Sequence, residues 1–146
     1  MLDRPLSIDE QRRAMLAAWP MFACRDLDRA AQSARWVGTV IPQFTRYSLK
    51  IRYRLGRQPD VRVLNPALVR LPENSEGELP HVFPPADDPT LCLFDPRTDE
   101  WNASMAIAQT IAPWAFDWIA CYELWLMTGR WTGGGRHATN STAEAA

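Results

Sequence analysis

The sequence predicts one α+β domain: a helix, an antiparallel run of strands, a long irregular segment and a helical C-terminal part. Three observations predict it. Ser7-Ile8-Asp9-Glu10 has the S-x-x-E form that starts a helix. Tyr47 to Leu55 alternate apolar and polar residues without a break, the pattern of a half-buried strand. Beyond Pro113, apolar residues return at helical spacing. A chain of 146 residues has the size of a single domain. It is expected over residues 1–137, with a flexible tail over 138–146.

The first helix is predicted over residues 8–19, stopped by Pro20. Met15, Leu16 and Trp19 form its apolar stripe. Residues 26–34 suggest a second short helical piece. The period then changes. Arg35-Trp36-Val37-Gly38-Thr39-Val40-Ile41-Pro42 is rich in β-branched and aromatic residues and predicts a strand ended by proline. Tyr47, Leu49, Ile51, Tyr53 and Leu55 alternate with Ser48, Lys50, Arg52 and Arg54, giving one buried and one basic, wet face. Residues 56–60 read as a turn, and Val61 and Val63 as a third strand leaving at Asn65-Pro66. Short connections predict an antiparallel meander.

From residue 72 to 90, Pro72, Pro80, Pro84, Pro85 and Pro89 preclude helix and central strand. Irregular segments of this length in small domains are often functional. This one leads into Leu91-Cys92-Leu93-Phe94, expected to be a brief buried strand. Asp95-Pro96 turns the chain. Met105, Ala108, Ile111 and Ala112 suit a helix, and Pro113 suits the first position of another. That helix carries Trp114, Trp118, Cys121, Tyr122 and Trp125, read as core, and ends at Thr128-Gly129.

Composition narrows the function. The net charge of −1 weighs against a generic nucleic-acid binder. The charge is nevertheless uneven: residues 1–60 hold eleven Lys/Arg against six Asp/Glu, and residues 61–146 five against eleven. The basic half could form a partner-binding face, or simply a solvated one. Lys50 is the only lysine among sixteen basic residues. Asp3, Arg4, Asp9 and Glu10 stand where a signal peptide would be apolar, and no apolar run is long enough to span a bilayer. Three cysteines without a CxxC pair fit a reducing cytoplasm.

The chemical candidates are few. Cys24, His81, Cys92, Cys121 and His137 are scattered, so no metal site is expected. The Gly133-Gly134-Gly135 run has no P-loop lysine, and no G-x-S-x-G elbow occurs. Cys92 remains. Alone it reads as a buried structural cysteine; with His81 elsewhere in the chain it is also a candidate nucleophile.

The order of elements around Cys92 resembles the E2 ubiquitin-conjugating enzymes. Leu91-Cys92-Leu93 followed nine residues on by Trp101, and then by a helical stretch, is similar to the family's catalytic motif. Trp36-Val37-Gly38-Thr39-Val40-Ile41-Pro42 and Pro59-Asp60-Val61-Arg62-Val63 are similar to its strand motifs. Eukaryotic members carry His-Pro-Asn before the cysteine. Here Pro80-His81-Val82-Phe83-Pro84 keeps the histidine and lacks the asparagine. That departure, and the run from Trp114 through Thr128-Gly129-Arg130-Trp131 to His137, resemble the bacterial E2-like proteins, among them the stand-alone E2-like proteins of type II CBASS antiphage operons.

The resemblance implies an E2-like fold with an N-terminal helix, a β-meander, a long active-site loop and C-terminal helices. It implies a cysteine-dependent acyl transferase of the bacterial cytoplasm. Cys92 would carry a protein C-terminus as a thioester and pass it to a target lysine. The C-terminus would come from a cGAS-like nucleotidyltransferase or another ubiquitin-like protein, with or without an E1-like activator. His81 would be general base or oxyanion donor, Asp95 would position the amine, and Trp101 would pack beneath the active-site strand. His137 has no assigned role. No cofactor, nucleic acid or membrane partner is expected. The alternative is an inactive E2-like binding module of the UEV or RWD type.

Overall fold

The computed structural model describes residues 4–133. His137 and the expected tail over 138–146 lie outside the described residues. Helix α1 spans Ile8–Ala18, close to the predicted limits. Its capping box is complete: Ser7 Oγ accepts from the Glu10 N–H at 3.1 Å, and the Glu10 carboxylate accepts from the Ser7 N–H at 2.9 Å. Two otherwise orphaned donors are thereby satisfied. Ile8 and Met15 face the core. Leu16 does not: it is 57% exposed, a correction to the predicted stripe. Gln11 takes the buried position one turn before Met15. Its amide donates to Met105 O and accepts from Ile107 N, both at 2.9 Å. A buried amide is tolerated because both ends are paired.

Four strands follow: β1 Ala23–Asp28, β2 Ser33–Val40, β3 Tyr47–Arg54 and β4 Asp60–Asn65. They pair in sequence order, all antiparallel. The helical piece expected over residues 26–34 is therefore absent; the segment is the end of β1, a turn and the start of β2. Asp28 Oδ1 accepts from Ala31 N at 3.0 Å to shape that turn. Asp, Arg, Ala and Gln suit either state locally, and pairing along β2 decides it. The meander thus has four strands rather than the three expected.

Trp36, Leu49, Ile51 and Val61 are fully covered on the core face. Burying each such aliphatic side chain is worth about 1.5–3 kcal/mol. Leu55 falls outside β3 and is exposed, as the chain turns at Gly56 in the left-handed region. Gly38 lets β2 approach Phe22, whose ring would lie 2.6 Å from an added Cβ.

After β4 the chain is irregular, apart from two short strands, β5 Val82–Phe83 and β6 Thr90–Leu91. Residues 91–94 are buried, but regular pairing stops at Leu91. The two C-terminal helices expected are one short 3-10 turn, Ile107–Gln109, and one α-helix, α2, Ile111–Thr128. Pro113 is the third helical residue, not the first. It is tolerated because first-turn N–H groups have no acceptor within the helix. Gly129 closes α2 in the left-handed conformation, its N–H donating to Trp125 O at 2.7 Å. Ile111, Ala115, Trp118, Ile119, Tyr122 and Trp125 lie buried along the helix. The predicted aromatic stripe is core in Trp118, Tyr122 and Trp125, whereas Trp114 and Cys121 are half-buried.

Candidate active site around Cys92

The β5–β6 pairing brings His81 beside Cys92. Val82 lies opposite Leu91, and the Cys92 N–H donates to His81 O at 2.9 Å. Eleven residues of separation thus become adjacent backbone. The same carbonyl accepts from Trp118 Nε1 at 2.9 Å, so α2 anchors the hairpin that joins the two residues. His81 has φ 60°, in the left-handed region. Outside glycine that conformation is uncommon and is often found where backbone is held for function. The imidazole is half-buried, its centroid 4.7 Å from the Trp131 ring at 51°.

Cys92 is only 4% exposed. Its thiol lies 3.8 Å from Phe94 O, as donor.

Asp95, three residues on, is committed to its own turn. Oδ1 accepts from the Arg97 N–H at 2.9 Å and from Arg97 Nε at 3.1 Å. The Arg97 backbone bond first, and its guanidinium second, hold the carboxyl below its ordinary range. It is an anion near neutral pH, already hydrogen-bonded. Trp101 is buried, packs edge-on to Tyr53 at 5.6 Å, and donates from Nε1 to Thr110 Oγ1 at 3.0 Å. Thr110 is the residue that precedes α2, so Trp101 ties β3 to the helix start.

The proline-rich loop is stitched down rather than loose. Tyr122 Oη accepts from Val69 N at 2.6 Å, Asn74 Nδ2 donates to Gly129 O at 2.6 Å, and Glu76 Oε1 accepts from Trp131 N at 2.8 Å. Sequence reasoning missed Trp131 and Trp118 as neighbours of His81. Trp118 was legible only as part of a core stripe, and no spacing rule connects residue 131 to residue 81. It also missed Glu123, which is buried on α2 and accepts from Thr45 N and from Tyr47 Oη, both at 3.1 Å. Burial first, and Glu123 second, push the Tyr47 hydroxyl well above its usual pKa.

The other two cysteines are half-buried. Burial raises the pKa of both Cys24 and Cys121, which keeps them as thiols. Among the described residues no three His, Cys, Asp or Glu side chains gather as a metal cluster. No described helix is long and apolar enough to cross a membrane. Two surface concavities lie elsewhere: one of about 570 Å³ beside Trp19, Ile41 and Phe116, and one of about 380 Å³ on the sheet. Neither is lined by Cys92 or His81.

The α1–meander–loop–α2 order, with a cysteine closing the loop, is compatible with an E2-like protein. The sequence matches the type II CBASS E2 protein family over residues 11–138. The chain belongs to that family, and thereby to an E2-like branch of antiviral defence. A comparison with curated proteins returns no match.

Proposed function

We infer that this protein is a conjugating enzyme working through Cys92. The observation that carries the reading is the His81–Cys92 backbone pairing at the end of the proline-rich loop, in a chain of the type II CBASS E2 family. The Cys92 thiolate attacks the carbonyl carbon of an activated acyl donor, a thioester or acyl adenylate. The C–S bond forms and the donor's leaving group departs. An amine then attacks the new thioester, the C–N bond forms, the C–S bond breaks, and the thiolate leaves. His81 takes the amine proton, or in its cationic form stabilises the tetrahedral oxyanion. Asp95 draws the amine in by charge, and Trp101 braces the domain between β3 and the start of α2. The acyl group comes from the C-terminus of a cGAS-like nucleotidyltransferase or another ubiquitin-like protein. The acceptor is a lysine on a target, and an E1-like partner supplies the activated donor where one is needed.

The burial of Cys92 favours a second reading, a binding module of the same fold that does no chemistry. One experiment separates the two. Wild type and Cys92→Ala are incubated with the nucleotidyltransferase and resolved with and without reductant. The enzyme reading expects a reductant-sensitive adduct in wild type alone. An adduct that persists in Cys92→Ala, or none in either protein under turnover conditions, overturns it. His81→Ala then separates adduct formation from discharge; if neither rate changes, His81 has no catalytic role.

A further inference from the structure

The outer face of the sheet carries more positive charge than the fold pairs. The register sets Arg25 of β1 opposite Arg35 of β2, and Arg35 opposite Arg52 of β3. Residues directly opposite on antiparallel strands point to one face, with Cβ atoms about 5 Å apart, and like charges there are destabilising. Only at the end of the row does Asp60 face Arg52. That carboxylate is shared, taking Arg52 Nη2 at 3.2 Å and Arg62 Nη1 at 2.7 Å. The adjacent row sets Lys50 opposite Arg62. Asp26 pairs with Arg35, and Asp88 with Arg62 at 3.1 Å. Arg25, Lys50, Arg54 and Arg57 have no carboxylate partner among the described residues. A crevice of about 380 Å³ opens in this face, with Arg35, Arg52, Arg54 and Arg57 on its walls.

We propose that this face is a docking surface for an acidic segment of a partner polypeptide. Asp26 and Asp60 offset Arg35 and Arg52 within the stack, while Arg25, Lys50, Arg54 and Arg57 are left for an anion from outside the sheet. The planar fork of arginine matches a carboxylate in two-point contact. The arrangement also separates a peptide from a nucleic acid. Asp26 and Asp60 are interleaved with the cations and would repel a continuous polyanion. A peptide with spaced carboxylates can place each one on an unpaired cation. Neighbouring strands lie about 4.8 Å apart, so the cations form a two-dimensional array rather than the single track a nucleic-acid backbone follows. The proposal does not depend on Cys92 being catalytic.

The test uses the full chain and three fluorescein-labelled probes. They are a peptide alternating Glu and Ser, its Gln-for-Glu counterpart, and a single-stranded deoxyoligonucleotide of the same net charge. Anisotropy is read at about 50 mM and about 200 mM salt. The acidic peptide is expected to bind wild type and Cys92→Ala alike, more weakly at the higher salt. The glutamine peptide is expected not to bind. Arg54→Gln/Arg57→Gln should weaken the acidic peptide about tenfold or more, with Tm unchanged or raised. Arg25→Gln/Lys50→Gln repeats the measurement on a different pair of strands. Equal binding of the glutamine peptide, no binding of the acidic one at low salt, unchanged affinity in both double variants, or tighter binding of the oligonucleotide would each overturn the proposal.

Discussion

The meander and the loop that carries Cys92 are built on opposite principles. Strands β1–β4 hold one another through backbone ladders in sequence order, and along β2 and β3 the side chains divide into a core and a wet face. Between β4 and α2 regular pairing is limited to the short β5–β6 hairpin. There the loop is held by bonds to α2 and the residues beyond it: the Trp118 indole donates to His81 O, Tyr122 Oη accepts from Val69 N, and the Glu76 carboxylate accepts from the Trp131 N–H. A ladder is cooperative and tolerates change on its wet face. A loop held by a few side-chain bonds concentrates its dependence on a few residues. It can therefore place unusual backbone, such as the positive φ of His81, that a strand would reject.

The contrast can be broken from either side. The largest expected effect is chemical: Cys92→Ala removes the nucleophile and should abolish adduct formation, while circular dichroism and Tm stay close to wild type. A lost adduct accompanied by unfolding would make Cys92 a structural residue. Next comes the meander. Ile51→Ala empties a fully buried site on β3 and should cost about 2–5 kcal/mol in chemical denaturation. Loss below about 1 kcal/mol would mean that the sheet is not the centre of stability. Gly38→Ala forces a methyl toward the buried Phe22 ring. A loss of about 1–3 kcal/mol is expected, with little change in any transfer rate.

Trp118→Phe tests the loop. It keeps an aromatic ring in the core and removes the bond to His81 O. Stability should fall by about 1 kcal/mol, and single-turnover discharge should fall by a larger factor than adduct formation. Equal changes in both rates would deny Trp118 a positioning role. The smallest effect lies in the N-terminal cap. The Glu10 pKa is lowered to about 2, first by Arg4 and then by the Ser7 N–H. A carboxylate with a depressed folded pKa stabilises the fold above its unfolded value of 4.5. That contribution is lost as pH falls from about 4.5 toward 2. Glu10→Gln should flatten the acid limb of the stability curve in this window; an unchanged limb would deny the ion pair any role.

The same contrast explains what could be read from sequence. β2, β3 and β4 were legible because alternation is local: Leu49 and Ile51 announce their own face. The α1 start was legible because Ser7 and Glu10 sit three residues apart. β1 was not, since an exposed edge strand such as Ala23–Asp28 lacks a full apolar face. Leu16 misled because apolar character does not fix which side of a helix finds a neighbour, whereas Gln11 is buried only because Met105 and Ile107 supply its partners. Cys92 and His81 could be singled out as rare residue types. Their adjacency could not be derived from spacing, because it depends on the β5–β6 hairpin and on a bond from Trp118. Trp131 has no local signal at all.

One oxygen atom, His81 O, receives both the Cys92 N–H and the Trp118 indole. Shared acceptors couple opening events. The Cys92 amide cannot be released by a movement of the residue 81 carbonyl without also freeing the helix side chain. In hydrogen exchange the Cys92 amide should therefore follow the slow α2 amides rather than the fast protons of its proline-rich surroundings. The candidate nucleophile would then belong, in its opening dynamics, to the helix and not to the loop that carries it.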